Sequence, residues 1–430
     1  MIKTYKSIRG TYDFSPDEAC QFNKIAEKGR HIFGVYGYEE IILPVLEEEG
    51  VFIRSVGEAT DIIEKQIFRI AKRAETDSDV VLRPEGTAQV VRFYLEHALY
   101  KQSDFHKFSY IGPMFRGERP QKGRLRQFHH IGAEAMGSDS IFLDAEMISM
   151  SLKILDEIGI TERKLHINTL GCQQDKERFM SLLKKDLTDR RSELCEDCQR
   201  RLEKNPLRIL DCKEENCKKI ATSFCLSETT GKTYLCDSCK NKFQELLKLL
   251  KSLDIVYIYN PCLVRGLDYY TNTVFEIKSE NLGSQDAIGA GGRYNNLIKN
   301  LGGPDIPACG FALGVERIIL ALDKKERALK PDVFIAVIGE NLREESFRIL
   351  QDLRGAGVHC DTDYCAKSLK GQLRYAEKKG IKLVILLADD EYKQGLVILK
   401  DMETSEQEKV KKEDLIDVVR GIIADGEGMA

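Results

Sequence analysis

The spacing of apolar positions divides the chain into alternating helical and strand-like stretches. Ser15-Pro16-Asp17-Glu18 carries the marks of a helix start: a serine cap, a proline at the first helical position and a glutamate placed to close a capping box. Phe22, Ile25, Ala26, Gly29 and Phe33 supply one face, so a helix is expected to end near Gly34 or Gly37, followed by a short strand over Glu40 to Leu43. Val80 to Leu82 reads as a strand and Thr87 to His97 as a helix, which leaves Glu85-Gly86-Thr87 in the turn between them. Lys107 to Gly137 reads as strand, charged loop, strand: a long antiparallel hairpin. More strands are expected at Leu165 to Leu170, Ile255 to Tyr259 and Thr273 to Ile277, and a strand entering a helix over Gly310 to Leu322.

Two segments differ from this pattern. Residues 172 to 252 are rich in Lys, Glu and Cys, helical in period, and interrupt strand-rich chain on both sides, as an inserted domain does. Beyond a charged linker, Lys324 to Lys330, strands at Val333 to Ile338, Val358 to Thr362, Leu383 to Ala388 and Leu396 to Asp401 alternate with helices at Arg343 to Leu353 and Ser368 to Lys379, which predicts a small α/β domain with a largely parallel sheet. The expected architecture is α+β: an antiparallel-sheet core over 1–171 and 253–324, a mainly helical insert over 172–252, and a C-terminal α/β domain over 331–430.

Composition narrows the class. With 430 residues, 42% of them hydrophobic, the chain can bury several cores. No apolar stretch follows Met1, and runs such as Leu383 to Ala388 are too short for a bilayer, so no membrane partner and a cytoplasmic location are expected. A net charge of -4 excludes nucleic-acid binding through the whole surface and confines it to local basic patches. Thirteen cysteines, seven of them between Cys195 and Cys239, suggest a metal site or buried thiols rather than a disulfide framework.

The hairpin carries the densest chemistry. Arg116, Arg119, Lys122, Arg124 and Arg126 face only Glu118, and a loop that basic suits phosphate. The two-residue period of a strand sets Arg126, Phe128, His130 and Glu134 on one face, where phosphates, a purine ring and a hydrogen-bonding substrate could share the space. On the residues alone, Arg265 reads as a structural pair with Asp268. In the insert, Cys195-x-x-Cys198 and Cys236-x-x-Cys239 have the pair spacing of a four-cysteine zinc site, although 37 residues separate the pairs and Cys212, Cys217 and Cys225 offer other choices. Lys367, Lys370, Arg374 and Lys378 recur at helical spacing, a face suited to RNA phosphates or merely to water.

Phe115-Arg116-Gly117-Glu118 with Arg124 and Phe128 resembles motif 2 of class II aminoacyl-tRNA synthetases. Leu263-Val264-Arg265-Gly266-Leu267-Asp268-Tyr269-Tyr270-Thr271 resembles the signature of the histidyl-tRNA synthetase family, and Gly289-Ala290-Gly291-Gly292-Arg293-Tyr294 its second signature. Gly310 to Arg317 is similar to motif 3, and Glu40 to Pro44 with its preceding helix to motif 1, which implies a homodimer. The resemblance implies that Arg116, Arg265 and Arg317 are the catalytic cations. With Glu118, Arg124 and Phe128 they would bind ATP: Arg116 and Arg265 at the α-phosphate, Arg317 at the γ-phosphate, Glu118 at the adenine amino group and Phe128 stacked on the base.

By the same resemblance L-histidine would lie among Glu85, Gly86, Thr87, His130, Glu134, Tyr269, Tyr270 and Tyr294. Glu134 and Tyr270 would serve the two ring nitrogens, one a donor and the other an acceptor in neutral imidazole. Glu85, Thr87 and His130 would serve the α-amino group. His130 departs from the family's usual glutamine, and its protonation is expected to oppose the substrate ammonium at low pH. The terminal domain resembles the anticodon-binding domain of these enzymes. The partner is then tRNA(His), touched by Arg119 and Gln121 near the acceptor end and by Lys367, Lys370 and Arg374, with Mg2+ accompanying the phosphates. Zinc draws no support from the resemblance, since related enzymes do not require it. The alternative within the wider family is a non-catalytic, histidine-sensing regulatory subunit of ATP phosphoribosyltransferase; such relatives usually lack the terminal domain and part of the arginine set, both kept here.

Overall fold

The computed structural model describes residues 4–56, 65–72, 74–75, 78–226, 234–322, 328 and 330–427. The chain forms two compact units, 1–327 and 328–430; most of the linker expected at 324–330 lies outside the described residues.

The larger unit is organised by an eight-stranded sheet in the order Glu39–Glu40, His106–Phe115, Gln127–Met136, Ala308–Gly314, Ala287–Arg293, Thr271–Lys278, Lys164–Thr169, Ile258–Tyr259. Its inner pairings are antiparallel and only the two-residue edge strands pair in parallel. These edge strands are shorter than the apolar runs suggested, because neither has a second neighbour to hold the rest of the run.

The hairpin has the expected form, with Phe115 opposite Gln127 at its loop end. One face of the sheet is covered by helix Pro16–Val35, which starts in the expected capping box at Ser15 and Glu18, and by helix Ile141–Ile158, which stops at Gly159 with φ 100°. Ile131, Ala133 and Ala135 point into this core, leaving the alternate residues of the same strand for the other face. The other face packs around Tyr94, Phe108, Tyr110, Met114 and Val274, under helix Thr87–Glu96 and a three-stranded sheet made by Leu46–Glu48, Val80–Leu82 and Phe68–Arg69.

The described residues of the insert are mainly helical, with helices Gln173–Asp189, Glu196–Lys204, Glu215–Leu226 and Asp237–Ser252 around a core that includes Phe179, Leu183, Leu187, Ile209 and Cys198. The C-terminal unit holds a five-stranded sheet in the order Cys360–Thr362, Val333–Val337, Leu383–Leu387, Leu396–Asp401, Gln407–Lys411. Two of its pairings are parallel and two antiparallel, which corrects the expectation of a largely parallel sheet. The last strand and helix Leu415–Glu427 had no place in the sequence reading; Gln407–Lys411 buries only Val410, so its polar edge carries little hydrophobic signal. Val333 and Ile335 face one core and Phe334 and Ala336 another, so the sheet is covered on both sides.

Candidate active site

A cavity of about 940 Å³ opens on the face of the sheet away from the two long helices, and most of the residues singled out from the sequence line it. Phe128 and His130 enter it from strand Gln127–Met136 as the alternate partners of Ile131 and Ala133. Arg116 follows the neighbouring strand; its Nε donates to the Pro84 carbonyl at 2.9 Å, and its guanidinium lies 5.1 Å from the centroid of Phe128. Arg265 enters from the other side of the sheet order, its Nη1 donating to Glu276 at 2.5 Å while its buried Nε has no hydrogen-bond partner. Arg317 donates to the carbonyls of Gly123 (2.9 Å) and Ala287 (2.6 Å), and Arg124 pairs with Glu118.

Four guanidiniums therefore share one low-dielectric space. Burial, then the charges of Arg116 and Arg124, push the Arg317 pKa down to about 10. Burial likewise lowers Arg116; Glu85 opposes that shift and Arg265 adds to it. Cations that depress one another favour a polyanion between them, since the ligand removes repulsion as well as adding attraction.

The adjoining part of the cavity is built of acids and phenols. Glu85 caps helix Thr87–Glu96: its carboxylate accepts from the backbone N–H of Thr87 at 2.6 Å and of Ala88 at 3.0 Å, while burial raises its pKa. Glu134 is fully buried and accepts from the Thr87 hydroxyl at 2.7 Å, the Tyr110 hydroxyl at 3.3 Å and the Tyr294 hydroxyl. In its ionised form the carboxylate has about four acceptor positions, so three donors leave one for a ligand N–H. Burial pushes Glu134 up to about 8 despite those donors, and burial raises Tyr270 to about 12. The Tyr269 ring lies tilted 4.8 Å from Tyr270 and edge-on 5.5 Å from Tyr294, closing this end with aromatic surface. Gly310 is required beside it: a Cβ there would fall 1.8 Å from a Glu134 oxygen.

The chain matches the family model for histidyl-tRNA synthetase over residues 10–318 and that for an anticodon-binding domain over 332–422. It is 43% identical over 422 residues to the histidine--tRNA ligase of Halothermothrix orenii, covering 97% of this chain and 99% of that one, and 44% identical over 410 residues to that of Aquifex aeolicus, covering 95% and 99%. The chain belongs to the histidyl-tRNA synthetase family. Among solved structures, the apo histidyl-tRNA synthetase of Staphylococcus aureus superposes with a TM-score of 0.78 at 31% identity, covering 97% of this chain and all of that one.

Within this histidyl-tRNA synthetase family member, several expected residues stand differently from their sequence reading. Glu134 and Tyr294 lie one layer behind the residues that line the cavity, bonded to them through Thr87 and Tyr110. Arg126 does not line the cavity; its backbone joins Gly10 and Arg116 and its Nε donates to the Glu118 carbonyl, because the strand's alternation begins only at Gln127. Arg265 pairs with Glu276, whereas Asp268 is held from the insert by Arg208 at 2.6 Å and Asn205 at 2.8 Å. His130 was expected to gain a proton at low pH; burial, then Arg116, Arg317 and Arg83, push its pKa well below the usual imidazole range, so it stays neutral. Its buried Nδ1 has no hydrogen-bond partner.

Arg119 and Gln121 are exposed in the hairpin loop. In the C-terminal unit Lys370 and Arg374 are exposed on helix Leu369–Lys379, but Lys367 precedes that helix, its ammonium 4.8 Å from the Tyr375 ring. The four cysteines offered as one metal set are not brought together: Cys195 and Cys198 group with Cys212 and Cys217, and Cys236 and Cys239 with Cys172 and Asp175.

Sequence reasoning passed over Tyr110, Glu276, Lys176 and Arg208. Tyr110 was legible as the interior partner of Gly132 in the hairpin, and its ring is so close to Gly86 and Gly132 that a Cβ on either would collide with it. Lys176 and Arg208 carried no signal, since their partners are backbone carbonyls of the loop 265–270 and Asp268, all distant in sequence.

Proposed function

We propose that this chain activates L-histidine with ATP to histidyl-adenylate and pyrophosphate, then transfers the histidyl group to a terminal ribose hydroxyl of tRNA(His). The observation that carries the reading is that Arg116 and Arg265 line one cavity together with Tyr270 and the shell that holds Glu134. The substrate carboxylate attacks the α-phosphate, and charge grows on its equatorial oxygens as pyrophosphate leaves. Arg116 and Arg265 receive that charge from preorganised, water-poor positions, Arg317 takes the γ-phosphate, and Phe128 stacks on adenine with Glu118 at its amino group. Arg124 holds Glu118 in place. Magnesium enters as part of the nucleotide substrate.

The imidazole of histidine reaches past the lining to donate to Glu134 and meets Tyr270, while Glu85, Thr87 and the neutral His130 receive the ammonium, with Gly86 and Tyr269 shaping the wall and Tyr294 behind it holding Glu134. Binding by two dedicated polar partners rejects amino acids that lack them, because those partners would be left buried and unpaired. Arg119, Gln121, Lys367, Lys370 and Arg374 contact tRNA. Val35 and Ile42, 66% and 93% exposed near the Glu39–Glu40 edge strand, support a homodimer through that edge. Structural zinc in the insert is a separate question from this activity.

Charging of mixed tRNA with each amino acid in turn tests the function. Incorporation of histidine alone is expected; charging with a different amino acid would overturn it. Failure to exchange pyrophosphate into ATP with histidine, while histidine still binds, would favour a regulatory subunit instead.

A further inference from the structure

Among the described residues, the insert holds two separate groups of metal-ligating side chains. Cys195, Cys198, Cys212 and Cys217 form one, and Cys172, Asp175, Cys236 and Cys239 the other, and within each group the ligand atoms all lie within 4.8 Å of one another. A tetrahedral zinc with Zn–S bonds of about 2.3 Å needs sulfurs about 3.8 Å apart. The Cys195 and Cys212 sulfurs are 3.9 Å apart.

Each group also has a shell of the kind a thiolate site needs. The Cys195 N–H donates to the Cys217 sulfur at 3.2 Å, and the Cys172 N–H to the Cys239 sulfur at 3.2 Å. In the second group Asp175 is fully buried. One of its oxygens accepts the Cys236 N–H at 3.0 Å, and the other is buried with no hydrogen-bond partner. An orphaned carboxylate oxygen among three sulfurs is costly unless a cation takes it. No disulfide joins any of these cysteines.

We propose that the insert binds two zinc ions, one held by four cysteines inside it and one held by Cys172, Asp175, Cys236 and Cys239 at its root. On binding, the thiols release their protons to solvent, so the reaction is a ligand exchange without a redox change. The root site joins the first turn of helix Gln173–Asp189 to that of helix Asp237–Ser252, the two helices by which the insert leaves and re-enters the core.

It also reaches the active-site loop. Lys176, next to Asp175, donates to the carbonyls of Asp268 at 2.5 Å and Tyr270 at 3.0 Å. Arg208, four residues before Cys212, donates to the Arg265 carbonyl at 2.7 Å. Both metal sites therefore brace positioning residues for the loop that carries Arg265 and Tyr270. The metal content is independent of the proposed activity; only this last consequence rests on it.

The test is zinc content and X-ray absorption of the full-length protein purified without chelator. Two zinc ions per chain are expected, with seven sulfurs and one light ligand shared between them at bond lengths of about 2.3 and about 2.0–2.2 Å. Cys195→Ser with Cys198→Ser, and Asp175→Asn with Cys236→Ser, should each lower the count to one, and thiol titration of the untreated protein should leave these seven cysteines unreactive until zinc is removed. A count of one or none in the unmutated chain, or disulfides in place of metal, overturns the proposal. If it holds, chelation should raise the KM for histidine in pyrophosphate exchange more than that for ATP; metal-dependent binding without that change would remove the loop's role while leaving the two sites.

Discussion

The nucleotide half of the cavity and its histidine half treat charge in opposite ways. Around Arg116, Arg124, Arg265 and Arg317, burial and then the like charges of Arg116 and Arg124 lower the pKa of Arg317, and Arg317 itself bonds backbone carbonyls. Around Glu134 every donor has an acceptor already: Thr87, Tyr110 and Tyr294 converge on one carboxylate. The first half is electrostatically incomplete without ligand. The second lacks only a donor for one acceptor position at Glu134 and a partner for the buried His130 Nδ1, and is otherwise preorganised. Catalytic stabilisation belongs where charge is unsatisfied, and discrimination belongs where one missing hydrogen bond leaves a buried group stranded.

This contrast can be broken in order of severity. Arg116→Ala should lower histidine-dependent pyrophosphate exchange by about 10²–10³-fold with folding intact, as loss of one preorganised donor does elsewhere, measured against thermal unfolding of the same variant. Glu134→Gln should act on the other half alone, raising the KM for histidine by about 10–100-fold with little change in that for ATP; an equal rise in both would merge the two halves.

The same variant sharpens the comparison through pH. Burial raises Glu134 from 4.5 to about 8 in the fold, so its neutral form is favoured there. Its contribution to stability is fully present below 4.5 and is lost as pH rises toward 8, at up to about 1.4 kcal/mol per unit. Unfolding curves between pH 5 and 8 should therefore fall more steeply for the wild type than for Glu134→Gln; parallel curves would refute the raised pKa. Lys370→Ala with Arg374→Ala should weaken tRNA binding roughly tenfold and flatten its salt dependence without touching pyrophosphate exchange. The smallest effect is expected at His130→Gln, whose pH profile between 6 and 8 should match the wild type, because the imidazole is already neutral there.

Much of this was legible because strand period and motif spacing are local. The alternation Phe128, His130 and Glu134 follows from a two-residue repeat, and Ser15 to Glu18 fixed a helix start by their own hydrogen bonds. The reading failed where partners are remote. Arg126 lies before the strand's alternation starts, Asp268 was claimed by Arg208 from the insert, and the two Cys-x-x-Cys pairs were separated by folding that brought Cys172 and Asp175 to one of them. Spacing shows which ligands are neighbours in sequence, and only the packing of the insert shows which are neighbours in space.

The central claim is that Arg265 acts on the reacting phosphate and is not merely the partner of Glu276. Replacing Arg265 alone would strand a buried carboxylate, so the decisive measurement is pyrophosphate exchange by the double variant Arg265→Ala, Glu276→Gln, with thermal unfolding alongside. Near-native stability with exchange reduced about 10²–10³-fold is expected. Exchange within a few-fold of the unmodified protein would contradict it.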